Sequence, residues 1–217
     1  MTAIPIQPMD FFDDKYGMDT TRLQRILGRT LGAHIDYADL YFQYEVSDTV
    51  SLEEGEVKHA SKHLNQGVGV RALAGDKTGY AFSDEITVST LELAAQTARQ
   101  IASSGTPTAS VAVQSVRMPE QNLYPVQTPG PDVPIAAKLE LLQRIDACCR
   151  AYDQRITRFQ TSFSSVHQLI LIATAEGLVI GDVRPLLRLN VSCIAEAGQT
   201  RQSGSAGGGG RVEHHRE

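Results

Sequence analysis

The chain has 217 residues and a formal net charge of −5 at neutral pH, with 41% hydrophobic and 21% charged residues. This length and balance are typical of one large globular domain or two small ones. The acidic balance and the lack of long like-charged runs disfavour binding to nucleic acid or to an anionic membrane. The sequence shows neither a signal-peptide pattern nor 18 consecutive apolar residues, so we predict a cytoplasmic protein without nucleic-acid or membrane partners.

The first half of the chain predicts a helix, a series of strands and a second helix. Leucine and isoleucine recur at helical spacing after Asp19, which predicts a helix over residues 20–32. Alternating apolar residues and turn signals then predict four or five antiparallel strands. These strands fall at 37–47, on either side of Gly55, at 67–74 and at 78–85. A segment rich in helix formers over about 89–103 predicts a helix that closes this unit.

A proline-rich stretch separates this unit from a second one. Residues 105–133 contain several prolines and little periodicity, which indicates a linker or an extended strap. An amphipathic helix is predicted from Pro134 to about residue 152, followed by four strand-like runs. We therefore predict an α+β fold of two units, 1–104 and 134–217, each an amphipathic helix plus an antiparallel β-meander.

The last part of the sequence is unlike the rest. Residues 201–217 contain glycines and charged side chains but no apolar face. Because such a segment buries little surface, we predict a flexible connector and a second unit that is incomplete. The four consecutive glycines do not indicate a phosphate-binding loop, since the Lys-Ser/Thr pair of that loop is missing.

Two histidines and three cysteines are candidates for reactive or metal-binding groups. His59 and His63 have the H-x3-H spacing of a helical zinc site, but residue 60 is alanine and the local pattern is typical of a strand. On a strand these two positions are about 13 Å apart, so we predict solvent-facing histidines and keep a metallohydrolase built on them as an alternative. Cys148, Cys149 and Cys193 lack a metal-binding or redox spacing, and we predict reduced thiols, with Cys149 in the core.

Four stretches of the chain together resemble the TldD/PmbA family of metallopeptidases. They are DYADLYFQ at 36–43, QGVGVRALAGDKTGYAFSDEIT at 66–87, the strand-rich run at 168–192, and SGSAGGGGR at 203–211. The stretches occur in the family's order and cover most of the chain from about residue 20 to 211. Within the family they resemble the TldD branch more than the PmbA branch.

The resemblance implies a cytoplasmic zinc metallopeptidase that works as a heterodimer with a TldE/PmbA-like subunit on unfolded or leader peptides. The family that the chain resembles was once described as modulating DNA gyrase. In this family zinc is held by an HExxxH helix and a later cysteine, and no HExxxH occurs in these 217 residues. We therefore expect no catalytic residue and no metal ligand in this chain, and a role as scaffold, dimerisation surface and channel wall.

A few residues remain as candidates for that role. Gly207, Gly208, Gly209, Gly210 and Arg211 are candidates for the wall of a peptide channel, because glycine lets another backbone approach closely. Arg71 and Arg184 are candidates for ion pairs or for contacts with a partner chain. The alternative function is a stand-alone module that binds peptides or a partner without hydrolysis.

Overall fold

The computed structural model describes residues 7–31, 34–103, 124–126 and 128–212 of the chain. The described helices are α1 (Pro8–Tyr16), α2 (Thr20–Leu31), α3 (Val88–Ser103) and α4 (Ile135–Tyr152), with a 3-10 turn at Gly130–Asp132. The described strands are β1 (Tyr37–Glu53), β2 (Glu56–Ala74), β3 (Lys77–Ser83), β4 (Ile156–Thr174), β5 (Val179–Ala197) and β6 (Thr200–Gly210). Helix α1 was not predicted from the sequence.

These strands form one antiparallel sheet in the order β3-β2-β1-β4-β5-β6. The two predicted meanders meet where β1 pairs with β4, from Asp39 opposite Thr174 to Glu53 opposite Gln160. The α+β class is confirmed. The two predicted units therefore share a single sheet, because β1 and β4 each have a free edge that the other satisfies.

The strands are longer and fewer than the sequence predicted. In place of four or five short strands before residue 85, the described chain has three, of which β1 has 17 residues and β2 has 19. The four runs predicted after residue 155 merge into β4 and β5, with 19 residues each. The prediction of shorter strands was wrong because polar, exposed stretches stay paired through their backbones even where the apolar alternation lapses.

The predicted flexible connector near the chain end is also wrong for most of its length. Residues Thr200–Gly210 form β6, which pairs with β5 along its whole length. Backbone hydrogen bonds alone can hold a strand on a sheet edge, so the lack of an apolar face did not prevent pairing. Residues 213–217 lie outside the described part of the chain.

One face of the sheet, here called the helix face, carries the core. On β1 it presents Leu40 and Phe42, which are completely buried. Helix α3 lies directly on β2 and β3 through four buried alanines, and a Cβ at Gly79 would overlap the carbonyl oxygen of Ala98. Each large apolar side chain buried in this way contributes about 1.5–3 kcal/mol relative to an exposed one.

The other helices pack on the same face. Helix α1 contacts β4 and β5, α2 contacts β1, and α4 contacts β4 and β1. A smaller apolar cluster under α4 joins Leu142 to Val50 and Phe163. On α4 itself Cys149 is only partly buried and Cys148 is exposed, so the predicted core position of Cys149 was wrong. The opposite face of the sheet, here called the open face, is covered by none of the described helices.

Candidate functional site: the open face and its glycine-rich edge

The glycine-rich segment, residues 207–210, forms the last four residues of β6, which is an edge strand of the sheet. Gly207 lies opposite Asn190 of β5, and Gly210 lies opposite Leu187. No described strand pairs with the outer side of β6. Its backbone N–H and C=O groups on that side are therefore available to another extended chain.

The four glycines are not equivalent. A Cβ at Gly209 would overlap the carbonyl oxygen of Leu187, and one at Gly207 would lie 2.9 Å from the carbonyl oxygen of Leu189. A Cβ at Gly208 would meet no atom within 4 Å. Gly207 and Gly209 are thus required by the close approach of β5, whereas Gly208 keeps the edge free of side chains.

Arg211 directly follows β6. Its guanidinium carbon lies 5.2 Å from the centre of the Tyr124 ring, at a distance suited to a cation–π contact. Tyr124 belongs to the proline-rich segment that the sequence predicted as a linker or strap. The contact fixes the end of the glycine-rich strand to that segment.

Arg71 lies on the open face of β2, opposite Asp39 of β1. Its Nε donates a hydrogen bond to Asp39 Oδ2 at 3.0 Å, and this bond raises the pKa of Arg71. The Tyr37 ring lies 5.8 Å from the guanidinium carbon, and burial, followed by the charge of Asp39, raises the pKa of Tyr37. Asp39 is buried, so Arg71 neutralises a carboxylate that water cannot reach freely.

Arg184 lies on the open face of β5 and its environment is different. Its Nε is 2.6 Å from Asp182 Oδ2, and both side chains are more than 40% exposed. Such a pair is screened by solvent and contributes little to stability. In the sheet register Arg184 is six residues, or about 20 Å, from Arg71 along the strand direction, so the two arginines do not form one site.

An aromatic pair at the opposite sheet edge was not singled out from the sequence. Tyr80 and Phe82 of β3 are 54% and 72% exposed, and their ring centroids are 6.4 Å apart with nearly parallel planes. A Cβ at Gly69 would lie 3.0 Å from Tyr80 Cε2, so this glycine makes room for the tyrosine ring. The signal in the sequence was the alternation of two aromatics on a short strand that faces glycines.

A shallow polar groove crosses the open face between β4, β5 and β6. It has a volume of about 420 Å³, and its lining includes Gln160, Asn190, Ser205 and Gly207. Arg188 lies beside it and donates from Nε to Asn190 Oδ1 at 2.9 Å. The groove offers amide and hydroxyl groups that bind polar backbone, and it contains no acid–base pair suited to hydrolysis.

The described residues do not fit a zinc centre. They contain no group of three or more His, Cys, Asp or Glu side chains placed to hold a metal ion. His59 and His63 lie on β2 and are exposed, as predicted, and His59 Nε2 is 3.0 Å from Ser61 Oγ.

The two halves of this sheet match two domains of one known protein family. Residues 38–102 match domain 1 of the PmbA/TldA metallopeptidases, and residues 128–216 match the central domain of the same proteins. The chain belongs to the PmbA/TldD metallopeptidase family. The pairing of β1 with β4 is therefore a pairing between the two family domains.

The similar curated proteins are longer than this chain. A metalloprotease TldD homolog from Haemophilus influenzae is 36% identical over 199 residues, which is 89% of this chain and 40% of the relative. A TldD homolog from Buchnera aphidicola of Schizaphis graminum is 31% identical over 83% of this chain and 37% of the relative. The chain thus spans about two fifths of the length of these relatives.

Solved structures with low sequence identity share the fold. A Thermotoga maritima protein described as a modulator of DNA gyrase has a TM-score of 0.70 at 14% identity, over 88% of this chain and 43% of that protein. TldE from Thermococcus kodakarensis has a TM-score of 0.65 at 14% identity, over 88% of this chain and 43% of its own. In the described part of this PmbA/TldD chain, no helix is both long and apolar enough to span a bilayer.

Proposed function

We propose that this chain is the non-catalytic portion of a TldD-type zinc metallopeptidase subunit, and that it supplies scaffold, a partner-binding surface and part of a peptide channel. The observation that carries the proposal is a sheet whose helix face carries the buried core while one of its edges is a bare glycine-rich strand. The lack of an HExxxH motif in the sequence supports placing catalysis outside these residues.

The channel role is assigned to β6 and the residue after it. An extended peptide can pair with the outer backbone of Gly207–Gly210 without meeting a side chain, and Arg211 lies at the end of that path. Recognition through backbone groups accepts many sequences, which suits unfolded or leader peptides as substrates. The polar groove beside β6 adds hydrogen-bonding groups for the same peptide.

The partner-binding role is assigned to the open face near β3. Exposed tyrosine, phenylalanine and arginine are the side chains most enriched where protein interfaces are strongest. Tyr80 and Phe82 lie there together, with Arg71 opposite Tyr80 in the strand register. We assign this surface to a TldE/PmbA-like subunit, and Arg184 to the outer part of the same face.

The same proposal includes the domain boundaries and the location of the zinc ligands. Residues 1–104 are assigned to the first domain, 105–133 to the connecting segment and 134–217 to the central domain. The zinc ligands are assigned to parts of the subunit outside these 217 residues, because the described residues do not fit the ion. A cytoplasmic location stays a prediction.

Metal content and peptidase activity on an unstructured peptide test the proposal. We expect purified 1–217 to be free of zinc and inactive, and a full-length TldD subunit mixed with a TldE-like partner to cleave the peptide. Replacing the first 217 residues of that subunit by this chain should preserve cleavage. Zinc bound stoichiometrically by 1–217, together with cleavage that a His63→Ala variant loses, would instead establish the histidine-based metallohydrolase.

A stand-alone binding module is the second candidate function. It is favoured by the two apolar clusters that the described helices already form with strands of the sheet. Titration calorimetry of 1–217 with an unfolded peptide separates the two candidates. Tight binding by 1–217 alone supports the module, whereas binding that requires the rest of the subunit supports the channel proposal.

A further inference from the structure

His167 is a buried histidine that the proposed function does not use. It lies on the helix face of β4, with Val46 of β1 and Pro185 of β5 as its strand neighbours. The side chain is only 6% exposed, and neither ring nitrogen has a hydrogen-bond partner among the described residues. A buried imidazole without partners is stable only in its neutral form.

A strap, defined here as residues 124–126 and 128–133, lies over the strands beside His167. Gly130 of the strap packs against Ser165 and Leu187, and a Cβ on it would lie 2.7 Å from a side-chain atom of each. The Lys62 ammonium donates a hydrogen bond to the carbonyl oxygen of Pro131 at 2.8 Å. At its other end, Tyr124 makes the cation–π contact with Arg211.

The charged groups near His167 differ in whether another side chain already pairs with them. Asp48 of β1 accepts hydrogen bonds from Lys138 of α4 and Ser165 of β4, so its charge is already paired. Lys15 of α1 lies over the Tyr44 ring and donates to its hydroxyl.

The residues of β5 that share this face with His167 are uncharged: Val183, Pro185 and Leu187. Asp132 of the strap remains. Its charge favours protonation of His167, but burial outweighs it and lowers the pKa of the imidazole.

We propose that His167 makes the strap an acid-sensitive latch, in which protonation of the buried imidazole releases residues 128–133 from β4 and β5. The imidazolium that forms requires hydration, because the charge of Asp132 does not offset its burial, and water reaches the ring when the strap lifts. Release also withdraws Tyr124 from Arg211, so the end of the glycine-rich strand loses its tether. The latch thereby connects solution pH to the edge that we assign to the peptide channel.

The sign of the effect follows from the direction of the pKa shift. The pKa of His167 is lower in the docked state than in a solvated histidine, which titrates near about 6.5. The docked strap is therefore favoured above about pH 6.5, and it loses stability as the pH falls below that value. The released state binds the additional proton.

A single tryptophan can report the position of the strap, because the chain contains none. The reporter is Tyr124→Trp, which keeps a ring for the contact with Arg211. Emission maximum and acrylamide quenching would be followed from pH 8 to 5, with far-UV circular dichroism on the same samples. We expect a red shift and stronger quenching below about pH 6.5, while the circular dichroism stays constant.

Three further variants assign the transition to His167. Adding His167→Leu should abolish the red shift. Adding Asp132→Asn should move its midpoint to higher pH, because the docked imidazolium then loses the one charge that favours it. His63→Leu, which removes an exposed histidine of β2, should leave the midpoint unchanged. A flat emission profile in the reporter protein overturns the latch, as does the same transition in His167→Leu or a transition that coincides with loss of secondary structure.

Discussion

The helix face and the open face of the sheet are made by alternate residues of the same strands, yet they have different roles. On β1, Leu40 and Phe42 are completely buried under helices, whereas Asp39 and Gln43, which flank them, point to the open face. Packing on the helix face supplies most of the stability, because burial of apolar surface is the dominant favourable term. The open face carries exposed aromatic, charged and glycine-rich features whose loss affects binding more than folding.

The largest expected effect is a cavity on the helix face. Phe42→Ala removes a fully buried ring that lies 5.4 Å from the Phe12 ring. We expect the free energy of unfolding to fall by about 3–5 kcal/mol, measured by urea denaturation. Phe82→Ala on the open face is the matched control and should change it by less than about 0.5 kcal/mol. Equal losses in the two variants would contradict the division of roles between the faces.

Ion pairs on the two faces should differ in the same way. Lys138 is buried on the helix face and pairs with Asp48, whereas Arg184 and Asp182 are exposed. Lys138→Met leaves the partly buried Asp48 carboxylate without its cation and should lower the free energy of unfolding by about 3 kcal/mol. Adding Asp48→Asn should restore part of the loss. Arg184→Met should cost at most about 1 kcal/mol, and a larger loss would assign a structural role to the open face.

A smaller effect is expected at the glycine-rich edge. Gly209→Ala places a methyl group against the carbonyl oxygen of Leu187, and we expect a loss of about 1–3 kcal/mol. Gly208→Ala meets no neighbouring atom and should be neutral within about 0.5 kcal/mol. Amide hydrogen exchange along β6 distinguishes the variants, because only Gly209→Ala should lose protection. Equal exchange in both would show that β6 is not held closely to β5.

The last comparison separates binding from stability on the open face. Phe82→Ala, which barely changes stability, should weaken binding of a TldE-like subunit at least about tenfold. The measurement is titration calorimetry with the partner and the full-length TldD subunit. Leu93→Ala is the matched control, since Leu93 is also exposed but lies on α3 behind the helix face. Partner binding reduced only by Leu93→Ala would move the interface to the helices.

Local elements were largely predictable from the sequence. The helices at Thr20–Leu31, Val88–Ser103 and Ile135–Tyr152 were predicted to within about two residues, since their apolar spacing and proline signals are local. The hairpin between β2 and β3 was predicted from its turn residues for the same reason. Strand lengths were not, because polar strand ends are held by neighbours that only the folded sheet supplies.

The candidate site was predictable only in part. The glycines before Arg211 were singled out because four in succession are conspicuous, but their place in β6 could not be foreseen without a partner strand. Tyr80 and Phe82 were missed because exposed and buried aromatics look alike in a sequence. The burial of His167 was missed as well, since the strap that lies beside it is more than 30 positions away along the chain.

The sequence by itself determined the family, the α+β class and the absence of an HExxxH motif among these residues, since each depends on residue identity and local order. Only the tertiary structure decided that two family domains share one sheet, that one face is open, and that a buried histidine lies beside the strap. These features depend on the pairing of β1 with β4 across more than 100 residues. Pairing at that separation is set by which strand edges remain free after the local hairpins form, which no local pattern encodes.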